Sequence, residues 1–326
     1  MTTPAAALQC SRHLARLLAA HPELAPELDA GQAWPLVPEE MRAWLDAAPL
    51  TEDSLKPALR RMKQRAFARV AAQDLAGEAG LADVTEAMTA IAEVAVETAV
   101  AVLSAALQAR YGVPRNAAGA EQQLIVVGMG KLGGRELNVS SDIDLIFVYP
   151  EDGETTPMSD GERSISNFEY FTRLGKGVIA AIGEITGDGQ VFRVDMRLRP
   201  NGDSGPLVCP FDMLENYFVT QGREWERYAW IKARPLTGDR HADLEAIRRP
   251  FVFRKYLDFG TIDAMRDLHA QIRREVALKE MAINVKLGPG GIREIEFIAQ
   301  VFQLIRGGRD RALQIKPTLQ VLRLLV

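Results

Sequence analysis

The 326-residue sequence sets 39 lysines and arginines against 43 aspartates and glutamates, a net charge of -4, with 47% hydrophobic and 25% charged residues. That balance suits a soluble chain with room for two or three domains, and it lacks the basic surplus of a protein that tracks a nucleic-acid backbone. Cys10 and Cys209 form neither a disulfide framework nor a metal-ligand spacing, and His13, His21, His241 and His269 show no ligand spacing either.

The N-terminus lacks the charged-then-apolar order of a signal peptide. The most apolar stretch, Ala90 to Leu107, is interrupted by Glu93 and Glu97, so no membrane span is read and the expected location is the cytoplasm. The first hundred residues read as helix. Residues 52–76 place Leu59, Met62, Ala66, Phe67 and Val70 at helical spacing, an apolar stripe for a core. Arg61, Arg65 and Arg69 repeat every four residues on another face, as a solvated stripe or a docking surface for an acidic partner. A second helix is expected from Asp83, with Glu86 three residues on as in a capping box, to Tyr111, where Gly112 and Pro114 stop it. Residues 115–122 read as a linker.

The pattern then changes. Leu124 to Val127 is a short buried strand, Ile143 to Tyr149 a second, and 164–184 an amphipathic helix. Gln190 to Arg199 reads as a third strand, with Val194, Met196 and Leu198 alternating against Asp195, Arg197 and Arg199. From Phe211 the sequence returns to helix, interrupted by KLGPGG at 286–291. Its last residues, TLQVLRLLV, read as helix without a stop, so the chain is expected to lie inside a larger protein. The expected fold is α+β: a small mixed-sheet core over 119–210, flanked by helical regions over 1–118 and 211–326.

The chemistry concentrates in GMGKLGGRELNVSSDIDLIF, residues 128–147. Gly128, Gly130, Gly133 and Gly134 follow a strand and precede a helix expected near Arg135. Backbone N–H groups in such a turn can hold phosphate oxygens. The turn is neither a P-loop nor a clean GxGxxG, and alone it is equally a packing turn. Asp142 and Asp144, two apart on a strand, project from one face while Ile143, Leu145 and Phe147 face a core. Side-by-side carboxylates repel each other, and a hard divalent cation, Mg²⁺ or Mn²⁺, removes that cost. Asp195 supplies a third carboxylate, with Arg197 and Arg199 beside it for phosphate oxygens. Lys131 is either a phosphate contact or a loop-surface residue. Arg223, Glu224, Trp225, Glu226 and Arg227 form a charged and aromatic cluster that locks helices together or lines the cleft. Glu294 and Glu296, two apart on a helix, diverge too far to face one site.

The order of glycine-rich turn, DxD and later strand aspartate resembles the DNA polymerase β-type nucleotidyltransferases. The motifs GMGKLGGREL…SSDIDLIF, VDMRLRPNGDSGPLV, GREWERYAWIKAR and KLGPGGIREIEFIAQVFQLIRGGR resemble, over Leu124 to Arg309, the bifunctional glutamine synthetase adenylyltransferase/adenylyl-removing enzymes. That family carries two related halves. RVDMRLRP, GREWERYA and GGIREIEF are more similar to the half that removes AMP from a tyrosine of glutamine synthetase by phosphorolysis, releasing ADP.

The resemblance implies metal binding by Asp142, Asp144 and Asp195. It implies phosphate or nucleotide binding by Gly130, Lys131, Gly133, Gly134, Ser141, Arg197 and Arg199. Glutamine synthetase, ADP or ATP, phosphate and the PII signalling protein are the implied partners, with neither nucleic acid nor membrane. The alternatives are adenylyl transfer from ATP to the same tyrosine and a catalytically silent nucleotide-sensing or partner-binding module.

Overall fold

The computed structural model describes residues 10–29, 34–157, 163–255, 270, 284–286 and 288–326. His269, and Leu287 within KLGPGG, lie outside them. The chain opens with α1 (Arg12–Ala20), α2 (Ala25–Asp29) and α3 (Pro38–Leu45), which pack around a long helix α4 (Glu52–Leu75). Helix α4 begins where the pattern expects it because Thr51 and Ser54 cap one another: Ser54 N donates to Thr51 Oγ1 at 3.3 Å and Thr51 N to Ser54 Oγ at 2.9 Å. Its apolar stripe is buried as expected, with Leu59, Ala66 and Val70 fully enclosed.

The arginine stripe on α4 is not uniformly solvated. Arg69 is buried with Glu40 at 2.7 Å, and Arg65 pairs with Glu27 at 2.6 Å while stacking on Trp44. Both are held by α2 and α3, elements whose contacts the spacing within α4 does not encode. Arg61 stays exposed.

Helix α5 (Leu81–Tyr111) starts two residues ahead of the expected Asp83, because Asp83 caps from inside the first turn and its carboxylate accepts the Gly80 N–H at 3.0 Å. Glu86 is not its capping partner and pairs instead with Arg135. By length and composition α5 is apolar enough to cross a membrane. Its Val84, Met88, Ile91, Val94 and Val96 are instead packed into the protein core. The expected linker is also structured. Strand β1 (Val113–Asn116) is followed by a turn in which Asn116 Oδ1 accepts from Ala118 N and Ala120 N, at 3.1 and 2.8 Å.

The central sheet contains β2 (Ile125–Gly128), a single-turn helix α6 (Gly130–Gly133) and β3 (Ile143–Tyr149). Strand β4 (Gly153–Thr156) leaves it to pair antiparallel with β1. Helix α7 (Asn167–Gly183) follows, then β5 (Val194–Asp195), β6 (Val208–Pro210), α8 (Phe211–Thr220), α9 (Glu224–Ala229), β7 (Arg234–Pro235) and α10 (His241–Val252). Helices α11 (Ile292–Arg306) and α12 (Thr318–Leu325) complete the described chain. The sheet is mixed: β2 pairs antiparallel with β3 and with β7, while β5 and then β6 run parallel to β3 along its other edge.

Three expectations change here. The third strand spans two residues rather than ten, because the chain turns after Asp195 and Arg199 N bonds back to Met196 O at 3.3 Å. Strand β7 lies within the stretch expected to be helical. The helix expected near Arg135 starts at Gly130 and is one turn long, and Arg135 itself sits at φ 58, outside any helix.

Strand alternation divides the core in two. Ile143, Leu145, Phe147 and Tyr149 of β3 meet α4, α5 and α7, whereas Ile146 and Val148 meet α8, α10 and Trp230. Among the described residues both sheet faces are therefore covered except at the N-terminal end of β3, where Asp144 occupies the face that continues as Ile146 and Val148. The polar end of β3 opens a cleft; the rest is sealed.

Candidate active site

The glycine-rich turn is held from behind. Gly130 adopts φ +52, a left-handed conformation that favours glycine, and a Cβ there would lie 3.1 Å from Asp144 Oδ2. Met129 N donates to Asp144 O at 2.9 Å, which ties the turn to β3. Arg234 receives the far end of the turn, donating to Gly133 O at 3.1 Å and Leu132 O at 2.9 Å, and it also pairs with Glu93 of α5. Glu93 and Glu86 together hold Arg135 in its left-handed conformation. A Cβ on Gly133 would overlap the carbonyl oxygens of Lys232 and Gly128, so this glycine answers a packing demand.

Behind the turn lies a nearly buried polar knot. Lys232 Nζ meets Glu136 at 2.6 Å, Glu296 at 3.4 Å and the Thr318 hydroxyl at 2.9 Å. Glu136 also accepts from Thr318 N at 2.5 Å, at the first turn of α12. Every donor in the knot has an acceptor, as a low-dielectric site requires.

In front of the turn is a cleft of about 550 Å³ whose lining includes Gly130, Lys131, Asn138, Ser140, Ser141, Asp142, Asp144, Arg193, Asp195, Arg197, Tyr228, Lys286, Arg293, Glu296 and Gln300. Asp144 and Asp195 are direct partners in the parallel register of β3 and β5. Burial, then the charges of Asp195 and Asp142, push the Asp144 carboxyl up to about 6. Among the described residues Asp144 has no hydrogen-bonded side-chain partner. Asp195 differs: Arg197 grips both its oxygens, Nε donating to Oδ1 at 3.0 Å and Nη2 to Oδ2 at 2.5 Å, and holds its pKa below the usual carboxylate range. Asp142 lies one residue before β3 and is paired with Arg193.

These positions bear on a metal ion. Hard carboxylate oxygens in adjacent strands, one of them desolvated and unpaired, are the donor chemistry of a divalent cation. Among the described residues no three His, Cys, Asp or Glu side chains close around one point, since Asp142 and Asp195 are each drawn to an arginine. The Asp144–Asp195 pair fits such an ion, whereas Asp142 is engaged by Arg193.

Of the other residues singled out in the sequence, Gly130, Lys131, Ser141 and Arg197 line the cleft, and Ser141 Oγ donates to Asn138 Oδ1 at 2.5 Å. Gly133, Gly134 and Arg199 are not among the lining residues. Arg199 follows the chain reversal and donates to Met196 O at 2.8 Å and Asp203 at 3.3 Å.

The Arg223–Arg227 cluster locks helices. Glu226 is buried, accepting from the Tyr217 hydroxyl at 2.6 Å and Arg223 N at 2.9 Å. Arg227 donates to Val252 O at 3.1 Å and Glu224 at 2.8 Å, and Trp225 is partly exposed beside them. Glu296 lines the cleft, whereas Glu294 accepts from Gly290 N at 2.8 Å. Sequence reasoning missed Arg193, Tyr228, Lys232, Lys286, Arg293 and Gln300. The KLGPGG and IREIE segments were the available signal for Lys286 and Arg293.

Comparison with known proteins adds to this geometry. A family model described as glutamate-ammonia ligase adenylyltransferase matches residues 4–248, and one described as GlnD PII-uridylyltransferase matches residues 264–326. A bifunctional glutamine synthetase adenylyltransferase/adenylyl-removing enzyme of Aromatoleum aromaticum is 61% identical over 98% of this chain and 34% of its own length. Proteins of the same description from Chromobacterium violaceum and Burkholderia pseudomallei are 58% and 55% identical, each over 97% of this chain and over 35% and 36% of their own lengths. The chain thus spans about a third of the length of these curated relatives.

Proposed function

The chain belongs to the glutamate-ammonia ligase adenylyltransferase family, and from that premise we propose that it removes AMP from an adenylylated tyrosine of glutamine synthetase by phosphorolysis. The observation that carries nucleotidyl transfer is the cleft where Asp142, Asp144 and Asp195 face Lys131, Lys286 and Arg293. The wording of RVDMRLRP, GREWERYA and GGIREIEF supports the removing direction.

In this reaction an oxygen of inorganic phosphate attacks the α-phosphorus, the bond to the tyrosyl oxygen breaks, and that oxygen takes a proton as ADP leaves. Phosphate is anionic at neutral pH, so the demand on the protein is positioning and charge neutralisation rather than base catalysis. Asp144 and Asp195 would hold Mg²⁺ or Mn²⁺, with Asp142 after it leaves Arg193. When bound, the ion would neutralise phosphoryl oxygens. Gly130 lets the backbone approach Asp144 closely, and Arg193 and Arg197 set the orientation of two of the three carboxylates. The PII signalling protein is the proposed regulator, in keeping with the uridylyltransferase description matched by residues 264–326.

Incubating the chain with adenylylated glutamine synthetase, Mg²⁺ and phosphate should release ADP in proportion to phosphate. AMP incorporation from ATP into unmodified glutamine synthetase, with no ADP released in the first assay, would reverse the direction assigned here.

A further inference from the structure

Two of the phosphate ligands expected from the sequence are otherwise engaged: Arg197 is spent on Asp195, and Arg199 is held by Met196 O and Asp203. In the same cleft as the carboxylates stand Lys131 on the glycine-rich turn, Lys286, and Arg293 in the first turn of α11. Among the described residues none of these three side chains makes a hydrogen bond or ion pair. This contrasts with Lys232 beside them, whose ammonium is shared by Glu136, Glu296 and Thr318. Lys286 and Arg293 are fixed on one tight turn: Arg293 N donates to Lys286 O at 3.1 Å, Ile292 N to Val285 O at 3.0 Å, and Gly290 N to Glu294 at 2.8 Å. Burial, and then the repulsion of Lys286 and Lys232 together with the opposing pull of Glu296, leaves the Lys131 pKa below its ordinary value. Cations that share one cleft and have no bonded acid among the described residues leave an anion's place to be filled.

We propose that Lys131, Lys286 and Arg293 form the seat of the attacking phosphate, which becomes the terminal phosphate of the nucleoside diphosphate product. This rests on the nucleotidyl-transfer reading above and deepens it: the region after the catalytic sheet supplies two residues that touch a substrate. It also separates labour in the cleft, with carboxylates on the sheet for the adenylyl group and cations on the turns for the nucleophile.

The test is calorimetric titration of the chain with ADP and with AMP in Mg²⁺, for wild type, Lys286→Gln, Arg293→Gln and the double variant, beside the ADP-release assay. Wild type should bind ADP more tightly than AMP. The double variant should lose about tenfold or more of that preference while its AMP affinity holds within about twofold, which also shows that it is folded. The KM for phosphate should rise about tenfold with the KM for glutamine synthetase unmoved. A double variant that keeps the full ADP preference, or a preference abolished instead by Arg193→Gln or Arg197→Gln, overturns the seat. If phosphate-dependent release is found but its KM is unmoved in the double variant, the seat falls and the proposed function stands. If wild type releases no ADP yet its ADP preference depends on Lys286 and Arg293, the function falls and the seat stands.

Discussion

The two walls of the cleft are held in opposite ways. The acidic wall sits at the end of β3 and β5, where Ile143 and Leu145 are fully buried between carboxylates and core and where Asp144 and Asp195 are locked in register. The basic wall is carried on turns, with Lys131 beside a left-handed glycine and Lys286 and Arg293 on a turn before α11. On the acidic wall two of three charges are already paired, and on the basic wall none of the three is paired among the described residues. Charges that meet within the free protein are held ready in fixed positions. Charges left without partners are those a ligand must complete.

The sharpest way to break this comparison is within the acidic wall. Asp144→Asn should reduce phosphate-dependent ADP release by about 100-fold or more, since it removes the buried, unpaired carboxylate. Asp142→Asn should cost closer to about tenfold, because that side chain is 47% exposed and committed to Arg193. Equal losses in steady-state assays would dissolve the distinction between them.

Stability measurements sharpen the contrast behind the turn. Lys232→Met should leave Glu136 without its cation in a nearly buried site and cost about 3 kcal/mol in urea unfolding. Gly133→Ala should cost at least about 2 kcal/mol, because its methyl would overlap two carbonyl oxygens, whereas Gly187→Ala, with nothing within 4 Å, should be near neutral. The smallest effect belongs to Arg199→Gln, for which the KM for phosphate should change by less than about twofold, since its guanidinium faces Met196 O and Asp203. A tenfold change there would return Arg199 to the phosphate site.

Legibility in the sequence followed the same division. The acidic wall could be read because a DxD on a strand has a period of two, so Asp142, Ile143 and Asp144 declare their sides without tertiary knowledge. Helix α4 was legible from the helical spacing of its apolar stripe, and strand β3 from its run of apolar residues. Strands β6 and β7 were not, being three and two residues long and existing only through pairing with β3 and β2. Arg199 was assigned to the cleft by extending strand alternation past Asp195, where the chain turns. The basic wall was least legible, because Lys131 meets Lys286 and Arg293 only after the intervening chain has folded, and no local pattern encodes that meeting.

The most direct measurement follows the nucleophile itself. Adenylylated glutamine synthetase is incubated with the chain, Mg²⁺ and isotopically labelled inorganic phosphate, and the nucleotide product is separated. Attack by phosphate on the α-phosphorus requires the label to appear in the β-phosphate of ADP, one label per tyrosine released. Unlabelled AMP as the product, formed at a rate independent of phosphate, would contradict phosphorolysis in this cleft.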